Sequence, residues 1–155
     1  MNTALLILGH VLTALIAGVL GGAAMEGVLL AVGGASGRRV DMILALGSLI
    51  TRTRENAYRV GLVIHAISAV GFALVYTMAL VALGYTRLPN SMMLGLGFGV
   101  LHGLVVSLMI VWIVADQHPL EEFKEADLAI GLSHLAGHAA YGLVVGLVVG
   151  LSPGV

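Results

Sequence analysis

Residues 128–151 read LAIGLSHLAGHAAYGLVVGLVVGL, a run without a single Asp, Glu, Lys or Arg. At about 1.5 Å of rise per residue, a helix of that length covers the roughly 30 Å hydrocarbon core of a bilayer. Three more segments have the same character, at about residues 4–32, 60–84 and 91–115, and only the first holds a charged residue, Glu26. The alternation expected of a transmembrane β-strand is absent, and a bundle of helices is the other way to satisfy backbone groups in lipid. The sequence therefore predicts an all-α, integral membrane four-helix bundle forming a single domain over residues 1–155.

The opening stretch also indicates which faces of the helices meet. Gly142, Gly146 and Gly150 recur every four residues, as do Gly95, Gly99 and Gly103 in the third span and Gly18 and Gly22 in the first. Small residues at that spacing let two backbones approach closely, so these stripes mark the inward faces. Extending them outward picks up histidines. His134 and His138 precede Gly142 on its stripe, Gly61 and Ala69 bracket His65, and His102 adjoins Gly103 three residues after Gly99. The histidines are thus expected to face protein rather than lipid, as their polarity demands.

Composition narrows the class of function. The 155 residues are 59% hydrophobic and only 10% charged, with mean hydropathy +1.08, against about 25% charged residues in an average soluble domain. A net charge of -1 provides no basic footprint for nucleic acid. With no cysteine, a metal would have to be held by His, Asp, Glu, Met or backbone. The seven methionines are scattered rather than aligned with histidines, which favours gap-filling over copper handling. No nucleophile paired with a base, phosphate loop or dinucleotide fingerprint is present, so hydrolase, kinase and dehydrogenase readings have no support. The N-terminal MNTALLILGHVLTALIAG lacks the basic start of a signal peptide and is expected to remain as an anchor.

Charge in the loops sets the expected orientation. Arg38, Arg39, Arg52, Arg54 and Arg59 fall between the first two spans, whereas only Arg87 lies between the second and third. Positive charge is retained on the cytoplasmic side, which predicts a cytoplasmic-membrane protein with both termini outside. Within the arginine-rich loop, Val40, Ile43, Leu44, Gly47 and Ile50 follow helical spacing. They fit either a short helix in the inner interface or a continuation of the first helix. The third loop, DQHPLEEFKEADL at 116–128, is expected to be a solvated acidic cap around His118 and Lys124, with a cation-attracting vestibule as the sharper alternative. Trp112, Tyr58 and Tyr85 read as interfacial anchors. Tyr76 and Tyr141 lie deeper, with Tyr141 three residues from His138 and placed to orient it.

Measured from the inner end of each span, His65 lies roughly 8 Å deep, His134 roughly 9 Å, His138 roughly 15 Å and His102 roughly 20 Å. Glu26 joins this group only if the first helix runs on to about Val32, and His10 lies alone towards the outside. A lone buried histidine is ordinarily a neutral ring bonded across helices. Four converging from three helices, two of them at i and i+4, point to something more. The leading expectation is a transition-metal site (iron, copper, zinc or manganese) on His65, His134, His138, His102 and Glu26, with a redox or structural role. Haem b between two axial histidines is a variant of it. A proton or cation path from the acidic loop through the histidines is an alternative. Another is a non-catalytic subunit docked by its glycine stripes to other membrane subunits or to further copies of the chain. A bundle this small is expected to have little room for an enclosed substrate cavity. An i,i+4 histidine pair without the glutamate of HExxH carries no protease mechanism, so whether the site does chemistry stays open.

Leu88-Pro89-Asn90 with GLGFGVLHG at 95–103, His118-Pro119, and SHLAGHAAYGLVVGLVVG at 133–150 together resemble a group of uncharacterised prokaryotic four-helix membrane proteins. In that group a glycine-rich third helix, an HP after it and a final helix with His and Tyr-Gly recur. The resemblance covers roughly the second half of the chain and rests on motifs dominated by Gly, Leu and Val. It implies a bundle and a role for His118, His134 or His138, and brings no activity with it. The arginine-rich loop and Glu26 are not part of its pattern.

Overall fold

In the computed structural model, residues 3–36 and 41–152 are described; Arg38, Arg39 and Val40 of the arginine-rich loop lie outside the described residues. Five helices follow in order: α1 (Thr3–Ser36), α2 (Met42–Thr51), α3 (Ala57–Leu83), α4 (Asn90–Met109) and α5 (Leu128–Leu151). A π-helical turn, Ile110–Val114, prolongs α4, and a 3-10 turn, Glu121–Phe123, interrupts the loop to α5. Four helices are long and apolar enough to cross a membrane, over Thr3–Ala35, Ala57–Leu83, Asn90–Val114 and Leu128–Leu151. Their outward faces carry large exposed apolar side chains such as Leu5, Ile16, Ile67, Val75, Leu101 and Leu147. In water such a surface would be prohibitive; in lipid it is the expected exterior. The chain is a helical membrane protein.

Glycine decides the closest contacts. Along α4 and α5, Gly95 and Gly99 lie against Gly142 and Gly146, and a Cβ built on Gly142 would collide with the Gly95 carbonyl and the Gly99 backbone. Gly103 similarly faces Leu135 and His138, so the two helices run antiparallel with backbones touching over about three turns. Ser107 adds a cross-helix bond from its hydroxyl to the Gly131 carbonyl at 2.7 Å. On the other side of α5, the Tyr141 ring lies on Gly21 of α1 and Met25 lies against Gly137. Beyond α1, Gly18 faces the α3 backbone at Ala69 and Val70. The four long helices therefore pack in the spatial order α3, α1, α5, α4, and the ends of that row, α3 and α4, barely touch.

Of the two readings of the arginine-rich loop, the described residues give the short separate helix rather than a continuation of α1. Asp41 caps a new helix, its carboxylate accepting from Leu44 N–H at 3.0 Å. A left-handed residue, Arg52 (φ 58°), ends α2, and another, Asn56 (φ 57°), leads into α3. The resulting hairpin is antiparallel: Gly61 meets the Ile43 carbonyl and Gly47 meets the Ala57 carbonyl, both with no space for a Cβ. So α2 lies along the first turns of α3, on the side where α3 and α4 separate.

Candidate functional site

Between α3 and α4, on the α2 side of the bundle, lies a cavity of about 370 Å³. The expectation of little room concerned an enclosed cavity; this one is partly open to its surroundings. Its cause is the mismatch between two faces. Where α5 offers α4 a glycine stripe, α3 offers Phe72 and Tyr76, and side chains of that size hold the backbones apart. Nearer the loop to α4, the gap closes at one polar knot. The Tyr76 hydroxyl donates to the Phe98 carbonyl at 3.0 Å and, its proton spent there, accepts from His102 Nδ1–H at 3.2 Å. Towards the other end, the π turn widens α4 where Ile110 and Val114 join the wall.

All four histidines singled out in the helices, His65, His102, His134 and His138, line this cavity. His134 and His138 are buried, and His65 and His102 half-buried. His134 Nδ1 lies 2.9 Å from the Ile130 carbonyl and His138 Nδ1 lies 2.8 Å from the His134 carbonyl. A carbonyl can only accept, so Nδ1 carries the proton in both rings. In each neutral ring Nε2 is then the acceptor, and the same holds for His102 given the Tyr76 knot. The His102 and His138 rings sit edge to face, with centroids 4.7 Å apart and planes at 72°. Phe72 packs against His102, with ring centroids 4.2 Å apart and planes tilted by 40°.

Glu26 does not reach the cavity. Because α1 continues past Val32 to Ser36, the carboxylate stands level with His65 and approaches that ring from behind, Oε1 lying 3.7 Å from Nε2. His10 stays apart, donating Nδ1–H to the Leu6 carbonyl at 2.6 Å in its own helix. Tyr141 does not orient His138; its hydroxyl crosses to the Ala69 carbonyl of α3 at 2.6 Å. Among the described residues no three His, Asp or Glu side chains are gathered tightly enough to hold a metal ion. The two closest imidazoles are in ring contact, which leaves no gap between them for a macrocycle.

The floor of the cavity depends on a residue that charge patterning hides. His118, in the loop read as a solvated cap, is buried. Its Nε2–H donates to the Ala45 carbonyl of α2 at 3.1 Å, and its Nδ1 accepts from Leu120 N–H at 3.1 Å, the opposite tautomer from the cavity rings. Phe123 packs on it edge to face, at 4.9 Å between centroids. The acidic residues around it, Asp116, Glu121, Glu122 and Glu125, are exposed as expected. One of them, Glu122, reaches Arg54 at 3.4 Å, a second tie across the same floor. His118-Pro119 marks where the preceding helix stops, but nothing in the local sequence marks the ring as buried. No family model, curated protein or solved structure matches the chain.

Proposed function

We propose that this protein binds a small, largely apolar molecule taken from the bilayer, held in the cavity by hydrogen bonds donated to imidazole Nε2. The observation that carries this is the common state of three rings. His134 and His138 donate Nδ1–H to backbone carbonyls and His102 donates to Tyr76, so each keeps an Nε2 lone pair for a ligand. Apolar side chains such as Met42, Leu46, Phe72, Val106 and Ile110 make up most of the remaining wall. A volume of about 370 Å³ suits a small organic molecule, ligand pockets commonly running from roughly 300 to 1,000 Å³. Hydroxyl groups on an apolar ring or chain match that lining.

A transition-metal ion is the second reading, with His102 and His138 as its ligands; adding His65 or His134 would need those rings to move, since no three such side chains are gathered tightly enough as they stand among the described residues. It is favoured by the same tautomer, since a ligating imidazole usually donates its other N–H to a carbonyl or similar acceptor. With metal–nitrogen bonds of about 2.0–2.1 Å, two imidazoles on one ion hold their ring centres roughly 4.5–5 Å apart. The pair here is 4.7 Å apart. Under either reading, the arginines flanking α2 favour a cytoplasmic location for the cavity floor, with both termini outside. Docking to other membrane subunits or to further copies of the chain, through lipid-facing surface, is compatible with both.

One preparation tests both. Protein purified in mild detergent without a histidine tag is analysed for organic-soluble small molecules and for metal, alongside Val106→Phe, which fills the cavity, and His102→Ala/His138→Ala. A stoichiometric organic compound lost in Val106→Phe is the expected result. Stoichiometric metal lost in the double variant gives the second reading instead. Folded protein holding neither, at every ligand tried, leaves both without support.

A further inference from the structure

The polar part of the cavity wall is made almost entirely of acceptors. His134 and His138 commit Nδ1–H to backbone carbonyls, and His102 commits its own to Tyr76. Among the described residues the Nε2 of these rings has no partner, and it is not sealed off by neighbours, so each lone pair opens on the cavity. His65 adds a fourth from α3. Its Nε2 is sealed in beside Glu26 Oε1, where an N–H satisfies the carboxylate, and Nδ1 is left as the acceptor. Donors are scarce by comparison. The Tyr141 proton is spent on the Ala69 carbonyl. The other polar side chains on the wall are Asp41 and Glu122, which accept, and Ser68; among the described residues no Lys, Arg, Asn, Gln or Trp reaches it. A ligand carbonyl would face lone pairs here, whereas a ligand hydroxyl finds a partner.

Three residues mark a way in. Ser68 and Phe72 of α3 and Met109 of α4 line the cavity and are also exposed on the outer surface. All three fall inside membrane-spanning segments, so between them the cavity opens sideways to acyl chains rather than to water. At about 370 Å³ it lies at the small end of the roughly 300–1,000 Å³ typical of ligand pockets. That volume takes a ring-sized head and leaves a long chain to pass out between α3 and α4. Phe72, Phe123 and Tyr141 stand beside the imidazoles on the wall, a lining that packs an aromatic ring.

We infer that the ligand is a lipid with a hydroxylated aromatic head, and that of the two redox forms of a lipid quinone the site takes the quinol and refuses the quinone. Acceptors on α3, α4 and α5 suit a rigid head with hydroxyls on more than one edge. Replacing those hydroxyls by carbonyls sets lone pair against lone pair. The inference rests on the proposed ligand site and narrows it to one chemical class.

The full chain in lipid nanodiscs, kept free of oxygen, is titrated calorimetrically with a decyl-substituted benzoquinol and, separately, with the matching benzoquinone. The quinol should bind roughly tenfold or more tighter, from the cost of leaving buried polar groups unpaired. Equal affinities, tighter binding of the quinone, or binding of neither overturns the inference. In His138→Phe, which keeps a ring and removes a lone pair, the preference should fall, and an undiminished preference also overturns it. The wild-type comparison needs no variant, so it decides the matter even if His138→Phe does not fold. The broader reading is judged apart. A co-purifying compound that is lost in Val106→Phe and carries no hydroxyl keeps the cavity as a ligand site and removes the quinol, and retention of neither compound nor probe removes both. A quinol with a photoreactive group along its chain should label α3 near Ser68 and Phe72 or α4 near Met109, and labels confined to α5 overturn the sideways exit.

Discussion

The α4–α5 seam and the α3–α4 gap lie on adjoining faces of one helix, and they differ chiefly in what opposes α4. Across the seam, Gly95 and Gly99 meet Gly142 and Gly146, and backbone touches backbone. Across the gap, α4 meets Phe72 and Tyr76, and a cavity opens below the Tyr76–His102 knot. In lipid there is no hydrophobic drive to squeeze such a gap shut, because acyl chains solvate apolar side chains as well as protein does. A face without glycine therefore stays open unless polar groups bridge it. Here the seam gives the bundle its rigidity, and the gap gives it a place to hold something.

Breaking the seam should have the largest effect. Gly142→Val puts a branched side chain where even a Cβ meets the Gly95 carbonyl and the Gly99 backbone. We expect a loss of about 3 kcal/mol, the upper end for overpacked interiors, measured by reversible unfolding in mixed micelles of mild and denaturing detergent. A loss under about 0.5 kcal/mol would mean that the helices part easily, and the rigid-seam argument would fail.

On the gap side the losses are smaller and local. His118→Ala removes the bonds to Ala45 and Leu120 that secure the floor, and should cost about 1–2 kcal/mol while speeding amide exchange in α2 more than in α5. Uniform exchange across both helices would show that the floor does not move as a unit. Smaller again is Tyr141→Phe. It deletes the bond to the Ala69 carbonyl but keeps the ring on Gly21, and about 1 kcal/mol is expected, within the range for cross-helix bonds in membranes.

Which of these features could be read from the residues follows from the same contrast. The four spans and the inward stripes are periodic, so they were legible, and the glycine faces meet where spacing places them. His65, His102, His134 and His138 share one wall for that reason too, each lying on or beside an inward stripe. The cavity was not legible, because a void is set by the absence of a complementary face on a neighbour that sequence does not identify. His118 was masked by the acids around it: charge density marks a solvated loop, and nothing local shows that one imidazole turns inward to a helix 73 residues away. Tyr141 was misplaced because i,i+3 proximity to His138 was weighed without the competing carbonyl at Ala69 on another helix.

The finest test uses one substitution at two positions of α4. A Cβ on Gly99 would strike the His138 carbonyl and crowd Gly142, whereas one on Gly97 meets nothing within 4 Å. Alanine restricts the unfolded backbone more than glycine does, a gain of up to about 1 kcal/mol in a helix interior. At Gly97 that gain is unopposed, so Gly97→Ala should leave stability unchanged or raise it by a few tenths of a kcal/mol. At Gly99 the collision outweighs it, and Gly99→Ala should destabilise by about 1–3 kcal/mol. Opposite signs two residues apart on the same helix would exclude propensity as the cause, leaving only what each residue faces. Equal effects would mean that α4 rotates freely against α5, and the line between seam and gap would have to be redrawn.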